Sequence, residues 1–224
     1  LELIQLDIKT AFLSAEMDTE VYVTLPPGFS YDPSLDLPDK NSRTVHRLLK
    51  GVPGIPQGSY LFNKKIHKVF ISLGFVRLAD DYCVYKHASQ DVWVCLVLWV
   101  DDILLAYDSK EDILVKKVIA TLQGIFKVHL LGPVSDLLGI TVKRNREKRT
   151  MTVDQSHAVQ KLLEKAGMSN CIPYKTPVQT SFKFTKEDCP DEVARVDFAE
   201  EAKWYRSILA RTIYLSILTR PDIT

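Results

Sequence analysis

The chain has few cysteines: Cys83, Cys95, Cys171 and Cys189 are the only four in 224 residues, with no CxxC spacing and no histidine at zinc-ligand distance. That excludes a metal ribbon and a disulfide framework, and it points to free thiols in a reducing compartment. An excess of charge of one sign is also lacking, since 29 Lys and Arg face 28 Asp and Glu for a formal net charge of +1. Nucleic-acid binding therefore has to come from local patches rather than from a basic field over the whole surface. No apolar run approaches the roughly 20 residues of a membrane helix. The N-terminal LELIQLDIKT has neither Met nor the pattern of a signal peptide. With the equally abrupt C-terminal TRPDIT, it reads as a fragment cut from something longer. Internal repeats and low-complexity segments are absent. What is present is a hydrophobic content of 46%, enough for one large or two small domains with a real core, and incompatible with disorder as the overall state.

Periodicity and turn chemistry divide the chain into strands and helices. Residues 1–8 read as a strand ending near Asp7, followed by a turn or short helix over KTAFLSAEM and a second strand over 20–25. Residues 26–42 combine Pro, Gly, Asp and Ser into a long loop. A basic strand follows, then a Gly/Pro-rich loop, GVPGIPQGS, over 51–59. Leu61, Phe62, Ile66, Val69, Phe70 and Leu73 recur at helical spacing until Gly74 stops them. FVRL and YCVYKH are short strands. A helix opens at Ser109 with Val115, Val118, Ile119 and Leu122 on its apolar face. FKVHLL and LLGITVKR are strands, NREK turns back into RTMTVDQ, and Val159, Leu162, Leu163 and Ala166 mark a helix ended by Gly167. Residues 168–199 form a connector before a final helix from Glu201 to Leu218. Prominent hairpins among mixed elements predict an α+β fold with an antiparallel sheet backed by helices.

The stretch LVLWVDDILLAY, Leu96 to Tyr107, sets two adjacent aspartates between apolar halves that both read as buried strands. An unpartnered buried carboxylate is costly, so the pair belongs where the chain leaves the core: a β-hairpin with Asp101 and Asp102 at its tip. Two neighbouring carboxylates repel unless a cation lies between them, and magnesium fits that need. Solvated turn residues are an equal alternative from these residues alone. Asp7 follows an apolar strand in the same way. Were the two strands neighbours, three carboxylates would converge as they do in two-metal enzymes.

QLDIKTAFL and LWVDDILLAY resemble the first and third motifs of the reverse transcriptase of copia-type LTR retrotransposons. The likeness continues through LLGITVKR, LLEKAGMSNC leading to KTPV, and YRSILARTIYLSILTRPDI, in order over nearly the whole chain. The resemblance implies a right-hand polymerase palm with partial fingers and a thumb-proximal part over 1–178, and a connection segment over 179–224 leading toward an RNase H domain. It implies catalytic and metal-binding roles for Asp7, Asp101 and Asp102, with two Mg2+ ions for which Mn2+ can substitute. The substrates implied are an RNA or DNA template, a DNA or tRNA primer and dNTP. Integrase upstream and RNase H downstream in a Pol polyprotein are the implied partners, with no membrane. The expected location is the cytoplasm, within a virus-like particle, with a nuclear stage.

Phe12 stands where related polymerases place a ring beneath the incoming sugar, and it also reads as a core phenylalanine. Trp99 replaces the family's usual Tyr, which keeps a ring but removes the phenolic hydroxyl. Gln57 and Gly58, in PQG, resemble the second motif of other reverse transcriptases and are candidates for holding nucleotide or template. They read equally as a plain turn. The loop around them departs from the copia-type pattern. Leu138 and Gly139 would form the primer grip, or a strand with a glycine bulge. Arg47 and Lys50 lie in one basic cluster, Lys143 and Arg144 in another, and either could contact phosphate or be a solvated strand face. Lys127 is a candidate proton donor to pyrophosphate, with a surface lysine as the default. His129 and His157 read as structural. A non-catalytic relic and, more weakly, a phosphohydrolase are the competing functional classes.

Overall fold

Alternation along the apolar runs decides the main sheet. In the computed structural model, which describes residues 1–24, 45–174, 183, 185–189 and 198–223, contacts cluster into two units, Leu1–Val134 and Ser135–Thr224. The first unit holds β1 (Glu2–Ile8), β4 (Phe75–Arg77), β5 (Val84–His87), β6 (Val94–Trp99), β7 (Asp102–Tyr107) and β8 (Val128–Pro133). They form one sheet in the order β4-β5-β6-β7-β1-β8, antiparallel at every pairing. β1, from the chain's start, lies between β7 and β8, so residues about a hundred positions apart become neighbours. A separate ladder joins β2 (Tyr22–Thr24) to β3 (Val45–Arg47).

Side chains at alternate strand positions go to opposite faces. Leu6, Ile8, Leu96, Ile103 and Leu105 are fully buried on one face. They share a single core cluster with Leu61, Phe62, Ile66 and Phe70 of α1 (Pro56–Ser72) and Val115, Val118 and Leu122 of α2 (Asp112–Ile125). Both helices present these residues at three- and four-residue spacing, which is why each can bury one stripe on the sheet. The expected antiparallel sheet with helix backing is thus observed.

The start of α1 differs from the expected loop over 51–59. Pro56 begins the helix, because its fixed φ and missing N–H suit the first helical position. Gly58, two residues on, is buried, and a Cβ there would lie 2.8 Å from the Val52 carbonyl oxygen. Only glycine lets this first turn press so closely on the preceding backbone.

The second unit holds β9 (Asp136–Leu137), β10 (Ile140–Asn145) and β11 (Thr150–Asp154) in the order β11-β10-β9, with α3 (Ser156–Lys165) and α4 (Ala199–Leu218). The expected single strand LLGITVKR is split. Leu138 and Gly139 both adopt positive φ, 52° and 77°, and make a two-residue hairpin turn. The Tyr214 hydroxyl donates to the Leu138 carbonyl oxygen, and Thr219 Oγ1 donates to Gln155 Oε1 at 2.8 Å, so α4 is tied within its unit at both ends of this stretch. The loop at 26–42, most of the connector and the expected boundary at 178/179 lie outside the described residues. No described helix is long and apolar enough to cross a membrane.

Candidate active site

The hairpin of β6 and β7 closes on the pair Trp99 and Asp102, which leaves Val100 and Asp101 as its two-residue turn. The tip is therefore one residue earlier than expected: Asp101 is on the turn, and Asp102 is the first residue of the returning strand. Val100 has φ 56°. A positive φ at the first turn position is the type II′ pattern, which favours glycine, so a β-branched valine is strained there. The Ile8 N–H donates to the Asp101 carbonyl oxygen at 2.9 Å and holds the turn against the end of β1.

Register then does what spacing alone could not. Asp7 faces Asp102 across β1 and β7, Asp102 faces Trp99 across β7 and β6, and Asp7 faces His129 across β1 and β8. Trp99, Asp102, Asp7 and His129 make one row over four strands, on the face opposite the helices. Directly opposed residues of this kind have Cβ atoms about 4.5–5.5 Å apart.

Two further residues, Gln5 on β1 and Lys9 just past its end, frame the row. Gln5 is 8% exposed and its Nε2 donates to Asp102 Oδ1 at 3.2 Å. Lys9 Nζ lies 2.7 Å from Asp7 Oδ2. That carboxylate oxygen is screened from solvent and accepts no well-aligned hydrogen bond, so its short contact with Lys9 is chiefly ionic. The contact with Asp7 and the charge of Asp7 hold the Lys9 ammonium above lysine's ordinary pKa. Desolvation opposes them, and the charges of Asp101 and Asp102 add to them. All three aspartates therefore act on one cation.

Hard carboxylate oxygens, one of them screened from solvent and already drawing a cation, fit the chemistry of magnesium. Among the described residues, no group of three or more His, Cys, Asp or Glu side chains is already gathered closely enough to hold a metal ion. The cation that the carboxylates now gather is Lys9.

The remaining candidates are placed as follows. Phe12 is half-buried and packs edge-on against Phe62, with ring centroids 6.2 Å apart. Its backbone approaches Gly51, which in turn packs against Gly58, so Phe12 and Gly58 share one corner of the first unit. Gln57 is exposed on the first turn of α1. Trp99 is 52% exposed beside Asp102. Arg47 pairs with Glu20 at 3.1 Å, and Lys50 forms a backbone bridge with Glu16. Lys143, on β10, lies 3.7 Å from Asp154, and Arg144 is exposed on the same strand, opposite Met151. Leu138, Gly139, Lys143 and Arg144 all belong to the second unit. Lys127 is exposed, and its carbonyl oxygen accepts from the Lys9 N–H at 2.9 Å. Sequence reasoning passed over Gln5 and Lys9, although both alternate with Asp7 at period two. It also set aside His129, whose place is visible only through register.

Comparison with known proteins decides what kind of chain carries this row. Residues 2–180 match the model of the family described as reverse transcriptase (RNA-dependent DNA polymerase). The chain belongs to the reverse transcriptase family. It is 30% identical over all 224 residues to the Retrovirus-related Pol polyprotein from transposon TNT 1-94 of Nicotiana tabacum, of whose length it spans 16%. It is 28% identical over 223 residues, 98% of the chain, to the Retrovirus-related Pol polyprotein from transposon RE2 of Arabidopsis thaliana, spanning 14% of it. Against a putative transposon Ty5-1 protein of Saccharomyces cerevisiae, identity is 24% over 219 residues, covering 98% of the chain and 66% of that protein. This reverse transcriptase chain is thus kin to copia-type Pol polyproteins and spans a small part of the plant ones.

Proposed function

We propose that the chain is the palm, with partial fingers, of an RNA-directed DNA polymerase from a retrotransposon polyprotein, its connection segment beginning near residue 179. The observation that carries this reading is the register of Asp7 with Asp102 on the open face of the sheet, with Asp101 on the adjoining turn. Asp7, Asp101 and Asp102 would hold two Mg2+ ions, which when bound activate a primer 3′-hydroxyl and stabilise the pyrophosphate leaving group. Gln5 fixes one oxygen of Asp102. The exposed ring of Trp99 offers a stacking surface for a primer or template base. Phe12, Gln57 and Gly58 serve the nucleotide and template side, and Leu138 and Gly139 the primer. Arg47, Lys50, Lys143 and Arg144 supply local positive charge for phosphates. Template, primer and dNTP are the substrates, and the other segments of a Pol polyprotein are the partners.

Primer extension on an RNA template with Mg2+ tests the proposal, using the chain alone and extended upstream, each beside Asp101→Asn. Incorporation that falls on the order of 10³-fold in the variant supports it, since removal of one ligand costs several kcal/mol of transition-state stabilisation. A second reading, a folded relic that binds nucleic acid without chemistry, is favoured by the departure of the loop around Gln57 from the copia-type pattern and by Trp99 in place of the family's Tyr. Template binding without incorporation, unchanged by Asp101→Asn, would establish that reading instead.

A further inference from the structure

We propose that Lys9 is the internal counter-cation of the carboxylate row, bound to Asp7 until a divalent cation displaces it. This rests on the reading of Asp7, Asp101 and Asp102 as metal ligands, and it concerns what occupies those ligands before the metal arrives.

Three features place Lys9 in this role. The two-residue repeat of an extended chain puts Lys9 on the same face as Asp7, at the end of β1. Its backbone is fixed there, because the Lys9 N–H donates to the Lys127 carbonyl oxygen at 2.9 Å and the next residue, Thr10, turns the chain with φ 53°. Its side chain is nonetheless half exposed while the Asp7 side chain is only 19% exposed, so the ammonium has open solvent to move into and the carboxylate does not.

An exposed ion pair ordinarily contributes little to stability. Here one partner is a screened carboxylate oxygen with no aligned donor, and removing its cation leaves a desolvated anion next to two further aspartates. The same oxygen cannot serve an ammonium at 2.7 Å and a divalent cation together, because two cations at such separation repel strongly in a partly buried site. A divalent cation that takes this oxygen therefore has to displace Lys9 from it. The metal-free site is held together by the chain's own charge.

The test is direct Mn2+ binding to the full chain, followed by the paramagnetic resonance of the free ion, for wild type, Lys9→Met, Lys9→Arg and Asp7→Asn. Thermal unfolding is measured alongside, in chelator and in Mn2+. Lys9→Met is expected to bind Mn2+ about tenfold more tightly than wild type, because the short ion pair to Asp7 no longer has to be broken. Lys9→Arg, which keeps the charge, stays close to wild type, and Asp7→Asn loses the binding. In chelator, Lys9→Met melts below wild type, and Mn2+ closes the gap; a variant that folds only with Mn2+ is the extreme form of the same result. Lys9→Gln replaces the methionine variant should that chain not fold under either condition.

Asp7-dependent binding in wild type that is unchanged in Lys9→Met, with unchanged melting in chelator, overturns the counter-cation role and leaves the metal-ligand reading standing. Absence of Asp7-dependent binding in both chains overturns the metal-ligand reading and the proposal with it.

Discussion

The two faces of the six-stranded sheet are built by the same strands, yet they behave as different materials. Toward α1 and α2, Leu6, Leu96, Ile103 and Leu105 exclude solvent completely. One residue along on the same strands, Asp7 and Asp102 lie in a row that ends in an exposed Trp99, with Gln5 beside it on the same face. Because the side-chain period is two, a strand can devote alternate positions to stability and to chemistry without either set interrupting the other. The faces meet at the turn of Val100 and Asp101, where the backbone leaves its relaxed range and a carboxylate is presented beyond the strand end.

If the separation is real, changes on the two faces should have opposite signatures. The largest effect on folding is expected from Leu105→Ala, which opens a cavity at the centre of the core and should cost about 2–5 kcal/mol. Denaturant unfolding measures that cost, and Mg2+-dependent chemistry per folded molecule should be nearly unchanged. On the other face, Gln5→Leu removes the donor to Asp102. It should leave stability within about 1 kcal/mol while lowering incorporation roughly 10- to 100-fold, the usual scale for a residue that orients a ligand. A loss of stability matching Leu105→Ala would instead make Gln5 part of the core. The smallest effect tests the junction. Val100→Gly relieves a β-branched residue at positive φ, offset by the greater freedom of glycine in the unfolded chain, and should raise stability by about 0.5–1 kcal/mol in the same unfolding experiment.

How much of this was legible beforehand depends on the range of the signal. The apolar stripe from Leu61 to Leu73 revealed α1 because helical spacing is local, but Pro56 and Gly58 look like turn residues, and the helix start was hidden among them. Leu138 concealed the turn between β9 and β10, since a leucine at positive φ is not something composition announces. The strand, Asp-Asp, strand pattern disclosed a hairpin, though its tip lies one residue earlier, where pairing of Trp99 with Asp102 closes the ladder. The neighbourhood of Asp7 and Asp102 was not readable from spacing at all. It depends on which strands pair across some 95 positions, and only the resemblance to copia-type reverse transcriptases anticipated it. Gln5 and Lys9 carried a usable local cue, their period-two relation to Asp7, which gains meaning once that face is known to be open.

The most direct measurement is the rate of primer extension on an RNA template in Mg2+ for wild type, Asp7→Asn and Asp101→Asn, taken with the melting temperature of each. The open-face row as active site requires incorporation to fall on the order of 10³-fold in both variants while each remains folded with a cooperative transition. Incorporation that survives either substitution at near wild-type rate would contradict it, and would return the aspartates to the role of solvated residues at a strand end.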